Sequence, residues 1–109
     1  MKISIVFSSK SIGIGCNISH LIDLVNFLTD EIPISTNTSG LLNEWHDSKR
    51  RGFKEIEGIL TCNFSGGSKM KVISDQNLSK FMISGQFIDT GKNFIIDEHE
   101  CTFTIQNKI

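Results

Sequence analysis

The residues of this sequence with the most chemistry to offer are three histidines, His20, His46 and His99, and three cysteines, Cys16, Cys62 and Cys101. A structural zinc site takes four ligands, usually as two closely spaced pairs. The closest pair here is His99 and Cys101, which would share a face on a strand, and no Cys-x-x-Cys accompanies it. Half a ligand set is visible, so neither a metal nor any other cofactor is expected. Acyl or phosphoryl transfer needs a base beside a nucleophile. His46 and His99 could meet in the fold, with Lys49, Arg50 or Arg51 supplying charge, but no motif brings them together. The chain is therefore read as a non-enzyme.

The stretch Ser8 to Gly15 lies between a strand pattern and a helix pattern, where phosphate-binding loops sit because helix N-termini present free N–H groups. Neither G-x-x-x-x-G-K-[ST] nor G-x-G-x-x-G occurs there: Gly13 and Gly15 are followed by no further glycine and no Lys-Ser pair. A flexible turn is the simpler reading. The basic run Lys49-Arg50-Arg51, with Lys54 nearby, could touch phosphate, but the formal net charge is −1. No nucleic-acid partner is expected from one short run in such a chain.

The carboxylates form a more suggestive pattern. Glu55 and Glu57 share one side of a strand pattern, opposite Ile56, Leu60, Cys62 and Phe64. Glu98 and Glu100 keep phase with Thr102 and Thr104, Asp97 is adjacent, and Glu44 lies one hairpin away from Glu55. If the strands curve together, Glu44, Glu55, Glu57, Asp97, Glu98 and Glu100 make a patch complementary to a basic protein partner. The competing reading of each is a solvated strand residue that discourages edge-to-edge aggregation.

The elements that must position these side chains follow from periodicity. Lys2 to Ser8 alternates, with Ile3, Ile5 and Phe7 on one side. Ile18, Leu21, Ile22, Val25 and Leu28 then recur at helical spacing, widened by Leu24 and Phe27, so a sheet should cover that helix well. Asn17 is the expected N-cap, and Pro33 should end the helix near Asp30 or Glu31. Ile34 to Gly40 reads as a polar connection. Strands are expected at Leu41 to Asp47, Phe53 to Phe64, Lys69 to Ser74 and Lys80 to Asp89, and Asn93 to Gln106 makes one strand or two. Ser65 to Ser68 and Asp89 to Lys92 read as hairpin loops.

The expected fold class is α+β: one domain spanning 1–109, a curved, mainly antiparallel meander packed against one N-terminal helix. If the strand after the helix pairs parallel to the first, the sheet is mixed. With 109 residues, 39% apolar and 21% charged, the chain suits one globular domain rather than two or a disordered segment. No segment reaches the ~20 apolar residues that span a bilayer. The first residues are too short an apolar run for a secretion signal, so a cytoplasmic location and three free thiols are expected.

A compact α+β format with acidic segments such as Glu55-Ile56-Glu57 and Asp97-Glu98-His99-Glu100 resembles the small immunity proteins of bacterial polymorphic-toxin and contact-dependent growth inhibition systems. The resemblance covers the whole chain and rests on no motif, so no residue role is carried over. It implies a chain that binds a cognate toxin domain, such as a nuclease, and blocks its active site. Two other classes stand beside it. One is a small enzyme or ligand-binding domain using the loop 8–15 or the histidines. The other is a secretion chaperone or adaptor, which would expose a large apolar patch.

Overall fold

The computed structural model describes residues 1–47, 52, 54–97, 100 and 102–106, with only the backbone described for Cys16, Asn43, Glu44 and Gln106. The alternating first segment forms β1 (Ile3–Ser9), which turns Ile3, Ile5 and Phe7 into the core at no more than 2% exposure. The helix α1 (Ile14–Thr29) follows and begins ahead of the expected cap. Gly13 occupies the cap position at φ 72°, a left-handed conformation that costs glycine little. Asn17 already lies in the first turn, its side-chain amide donating to the Ile12 carbonyl at 2.7 Å. The helix ends as the proline predicts: Asp30 turns to φ 61° and its N–H donates to the Asn26 carbonyl.

The covered face of α1 is narrower than its apolar stripe. Val25 is fully buried and Ile18, Leu21 and Ile22 are partly buried, whereas Leu24 and Leu28 are exposed and Phe27 is 83% exposed. The expectation of a broadly covered helix is thus corrected. The helix packs chiefly on two strands, β3 (Lys54–Phe64) and β4 (Lys69–Ser74), and a single layer beneath it reaches only one side.

The other strands are β2 (Pro33–Asp47), β5 (Met82–Phe87), β6 (Lys92–Asp97) and β7 (Thr102–Gln106). The described strands form one sheet in the order β2-β3-β4-β1-β5-β6-β7. Every neighbouring pair is antiparallel except β1 with β4. The molecule is therefore α+β with a mainly antiparallel, mixed sheet on one helix. It is not a single meander. The crossover through α1 delivers the chain to the far edge at β2, and β3 and β4 walk back to β1. The second meander, β5 to β7, then builds outward from the other side of β1. The parallel partner of β1 is accordingly β4, not the strand that follows the helix.

Two details of β2 and β3 position the carboxylates. β2 runs straight through Ile34 to Gly40, expected as a connection. An edge strand tolerates Pro33 and a polar run, and three register shifts against β3 absorb the irregularity. On β3 the burial phase breaks at Gly58, which has φ 123°. Leu60, Cys62 and Phe64 face the core on one side of the break, while Glu55 and Glu57 are buried on the other, beside Ile56.

Candidate functional site

The break at Gly58 overturns the expected exposure of Glu55 and Glu57, which are 6% and 9% exposed. Strict alternation would have kept both on the solvent side; the shifted strand swings them inward. The Glu55 carboxylate packs against the start of α1. A Cβ placed on Gly15 would come within 2.6 Å of Glu55 Oε1, and one on Gly13 within 2.9 Å of Oε2. Unsatisfied N–H groups and the positive end of the helix dipole favour an anion at that place. The helix N-terminus that resembled a phosphate site is thus filled by the chain's own carboxylate.

Glu57 is the centre of a polar network. Its Oε2 accepts a hydrogen bond from the Ser74 hydroxyl, and its Oε1 lies 3.1 Å from His46 Nε2 and 3.2 Å from Gln76 Nε2. The Ser74 oxygen in turn accepts the Ile12 N–H at 3.1 Å. The network ties together the loop before α1, β2, β3, the end of β4 and the loop after it. A hydrolytic triad places imidazole on the hydroxyl and carboxylate behind the imidazole. Here the carboxylate stands between hydroxyl and imidazole, and Ser74 is 1% exposed. The arrangement fastens segments and prepares no nucleophile. His46 Nδ1 also lies 3.2 Å from the Asp47 carbonyl. That carbonyl raises the His46 pKa above its ordinary 6.5 against the opposing effect of burial, with Glu57 adding to the rise.

The same device recurs at the other end of β4. The Glu31 carboxylate accepts the Gly66 N–H at 2.6 Å, the Ser68 N–H at 3.0 Å and the Ser68 hydroxyl. Ser68 Oγ accepts the Ile3 N–H at 3.0 Å. Burial alone would raise the Glu31 pKa, but the Ser68 and Gly66 donors outweigh it and hold the carboxyl below its usual range. Sequence reading gave Glu31 no role. The signal available to it was a Ser on each flank of a short buried strand.

Of the remaining carboxylates, Asp97 is 8% exposed, pairs with Lys80 Nζ at 2.6 Å and accepts the Glu100 N–H at 3.2 Å. Its hydrogen bond raises the Lys80 pKa against the opposing effect of burial. Asp97 is therefore buried too, contrary to the expected surface patch. Glu100 is exposed, but it lies in the turn between β6 and β7 and not on a strand in phase with Thr102 and Thr104. Glu98, His99, Cys101 and the basic run 49–51 lie outside the described residues, as does the Glu44 side chain. His20 is exposed on α1, and the expected meeting of His46 with His99 lies outside the described residues. Cys62 is a buried free thiol. Among the described residues no group of three or more His, Cys, Asp or Glu could hold a metal ion. No described helix is long and apolar enough to cross a membrane.

Besides the exposed helix residues Leu24, Phe27 and Leu28, the described sheet presents further surface. On the sheet face away from the helix, Ser4, Val6, Ser84, Gln86, Asn93 and Ile95 line an open groove of about 380 Å³ with no charged group. The edges of the sheet carry the larger apolar signal. On β2, Ile34, Leu42 and Trp45 are 64%, 59% and 61% exposed, and on β7, Phe103 and Ile105 are 57% and 52% exposed. The sequence hid these residues, because an apolar side chain on a strand reads as core until its neighbours are known. The chain matches no family model, no curated protein and no solved structure.

Proposed function

We propose that this chain works by binding another protein, as an immunity-type inhibitor that covers the active site of a cognate toxin domain. The observation that carries the binding part is the β2 edge, where Ile34, Leu42 and Trp45 are exposed on one strand. Burying a large apolar side chain is worth about 1.5–3 kcal/mol, and tryptophan is among the residue types that most often anchor an interface. The engagement of Glu55, Glu57 and Asp97 inside the fold narrows the acidic contribution. Glu44, Glu98 and Glu100 are the carboxylates left to meet a basic cleft, where they speed association while the apolar anchors supply affinity. The toxin part of the reading rests on the likeness of format to immunity proteins.

The test uses the toxin domain encoded directly upstream. The chain should bind it and protect cells that express it. Trp45→Ala should weaken binding by about 2 kcal/mol or more, as an anchor does. Glu98→Lys with Glu100→Lys should slow association and alter its salt dependence. Absence of binding and protection by the unaltered chain would remove the inhibitor reading.

A further inference from the structure

The two edges of the sheet differ in how they are protected. β2 starts with Pro33 and is interrupted by three register shifts, devices that keep another strand from docking flat along it. β7 has none of these. It pairs with β6 in unbroken register from Thr102 to Gln106 and its five residues, Thr-Phe-Thr-Ile-Gln, include no charge and no proline. A regular, uncharged edge with large exposed side chains is a template for another strand.

Its side chains specify which strand. The register places Phe103 opposite Ile96 and Ile105 opposite Phe94 on β6. These lie in turn opposite Ile83 and Gly85 of β5, which face Phe7 and Ile5 of β1. Phe103 and Ile105 therefore stand on the helix-covered face, at the end of two apolar rows. The Phe94 ring is 4.9 Å from Phe87 and 6.4 Å from Phe103, stacked with the latter. Among the described residues no strand pairs with the outer edge of β7, and the last side chains of both rows stand half in water.

We infer that β7 pairs antiparallel with β7 of a second copy about a twofold axis at Thr104. In that register Phe103 meets Ile105 of the other copy on the apolar face, twice by symmetry. Thr104 meets its own counterpart on the polar face, and position 102 meets position 106. Aromatic with β-branched and Thr with Thr are favourable cross-strand pairs, and no like charges are brought together. Each apolar row then runs without a break, Ile83–Ile96–Phe103 continuing into Ile105–Phe94–Gly85 of the partner copy. A twofold axis requires a self-complementary strand, and this strand is one. The pairing adds about four to six backbone hydrogen bonds, set by which residues of β7 point away from β6. Five residues cover much less than the ~800 Å² per partner of a standard stable interface, so the dimer is weak and forms reversibly. It leaves β2, at the opposite edge, free for the proposed toxin.

The pairing is tested by cross-linking, in a background with Cys16→Ser and Cys101→Ser. Thr104→Cys should form a disulfide-linked dimer under mild oxidation, because opposed strand positions bring Cβ atoms within disulfide reach. Phe103→Cys and Ile105→Cys should each stay monomeric alone and cross-link when mixed. Sedimentation of the unaltered chain should show a monomer–dimer equilibrium, weakened about tenfold or more by Phe103→Lys with Ile105→Lys. Circular dichroism of that variant should be unchanged, since both side chains are half exposed. A chain that stays monomeric at millimolar concentration overturns the inference. So does a dimer indifferent to the two lysines, or cross-linking that is equal at all three cysteine positions. None of these readouts involves the toxin, so the dimer and the inhibitor reading fail independently.

Discussion

Glu31 and Glu57 do similar work at the two ends of β4, each gripping a serine hydroxyl that holds a backbone N–H of the β1 region. The pKa direction of Glu31 turns that geometry into a pH dependence. Its carboxyl is held below the ordinary 4.5 in the folded chain, so the unfolded chain binds protons more readily in this range. The stabilisation is present above pH ~4.5 and is lost as pH falls through the lowered folded value. Glu31→Gln keeps the shape but weakens three hydrogen bonds to a charged group, and should cost about 1–3 kcal/mol at pH 7. Denaturant titrations at pH 7 and pH 3 check this: the gap between variant and parent should shrink at the lower pH. An unchanged gap would mean that the charge is not what Glu31 contributes. His46 acts with the opposite sign. Its pKa is raised, so its share is complete below about pH 6.5 and disappears as pH rises through the folded value.

At the scale of elements, what the sequence made legible is what local period and punctuation encode. The alternation of Ile3, Ile5 and Phe7, the helix stop before Pro33 and the hairpin at Ser65 to Ser68 were all readable, because each depends on neighbours in the chain. The placement of Glu55 and Glu57 was not, because it depends on how β3 meets β2. A Cβ on Gly58 would lie 2.5 Å from the Gly40 carbonyl oxygen and 2.7 Å from Leu41 Cα, so the β2 backbone passes directly over it. Gly58 at φ 123° is what lets β3 change phase under that crossing, and glycine is one of the commonest residues in any strand-breaking turn. Gly58→Ala should therefore destabilise the fold by about 2–4 kcal/mol, through both strain and the clash with β2. A melting temperature within a degree or two of the parent would show that the strands can separate there at little cost.

Over the whole molecule, stability is distributed unevenly about β1. β1 sits mid-sheet, with β4 and β5 on its flanks and its three apolar side chains buried, and α1 covers the β3–β4 side. Among the described residues no helix packs on the β6–β7 end in comparable contact, and its last strand leaves Phe103 and Ile105 half in water. Local opening follows such differences, because a segment that buries less apolar surface separates at a lower free energy than the whole domain. Amide hydrogen exchange should therefore rank the strands, with β1 and β4 slowest and β7 fastest in dilute solution. Raising the protein concentration should slow exchange in β7 alone, since pairing of its edge would occupy N–H groups that β6 does not reach. Equal protection of β7 and β1 in dilute solution would contradict the uneven distribution. Protection of β7 that ignores concentration would place its stability within one chain and leave the second copy no part in it.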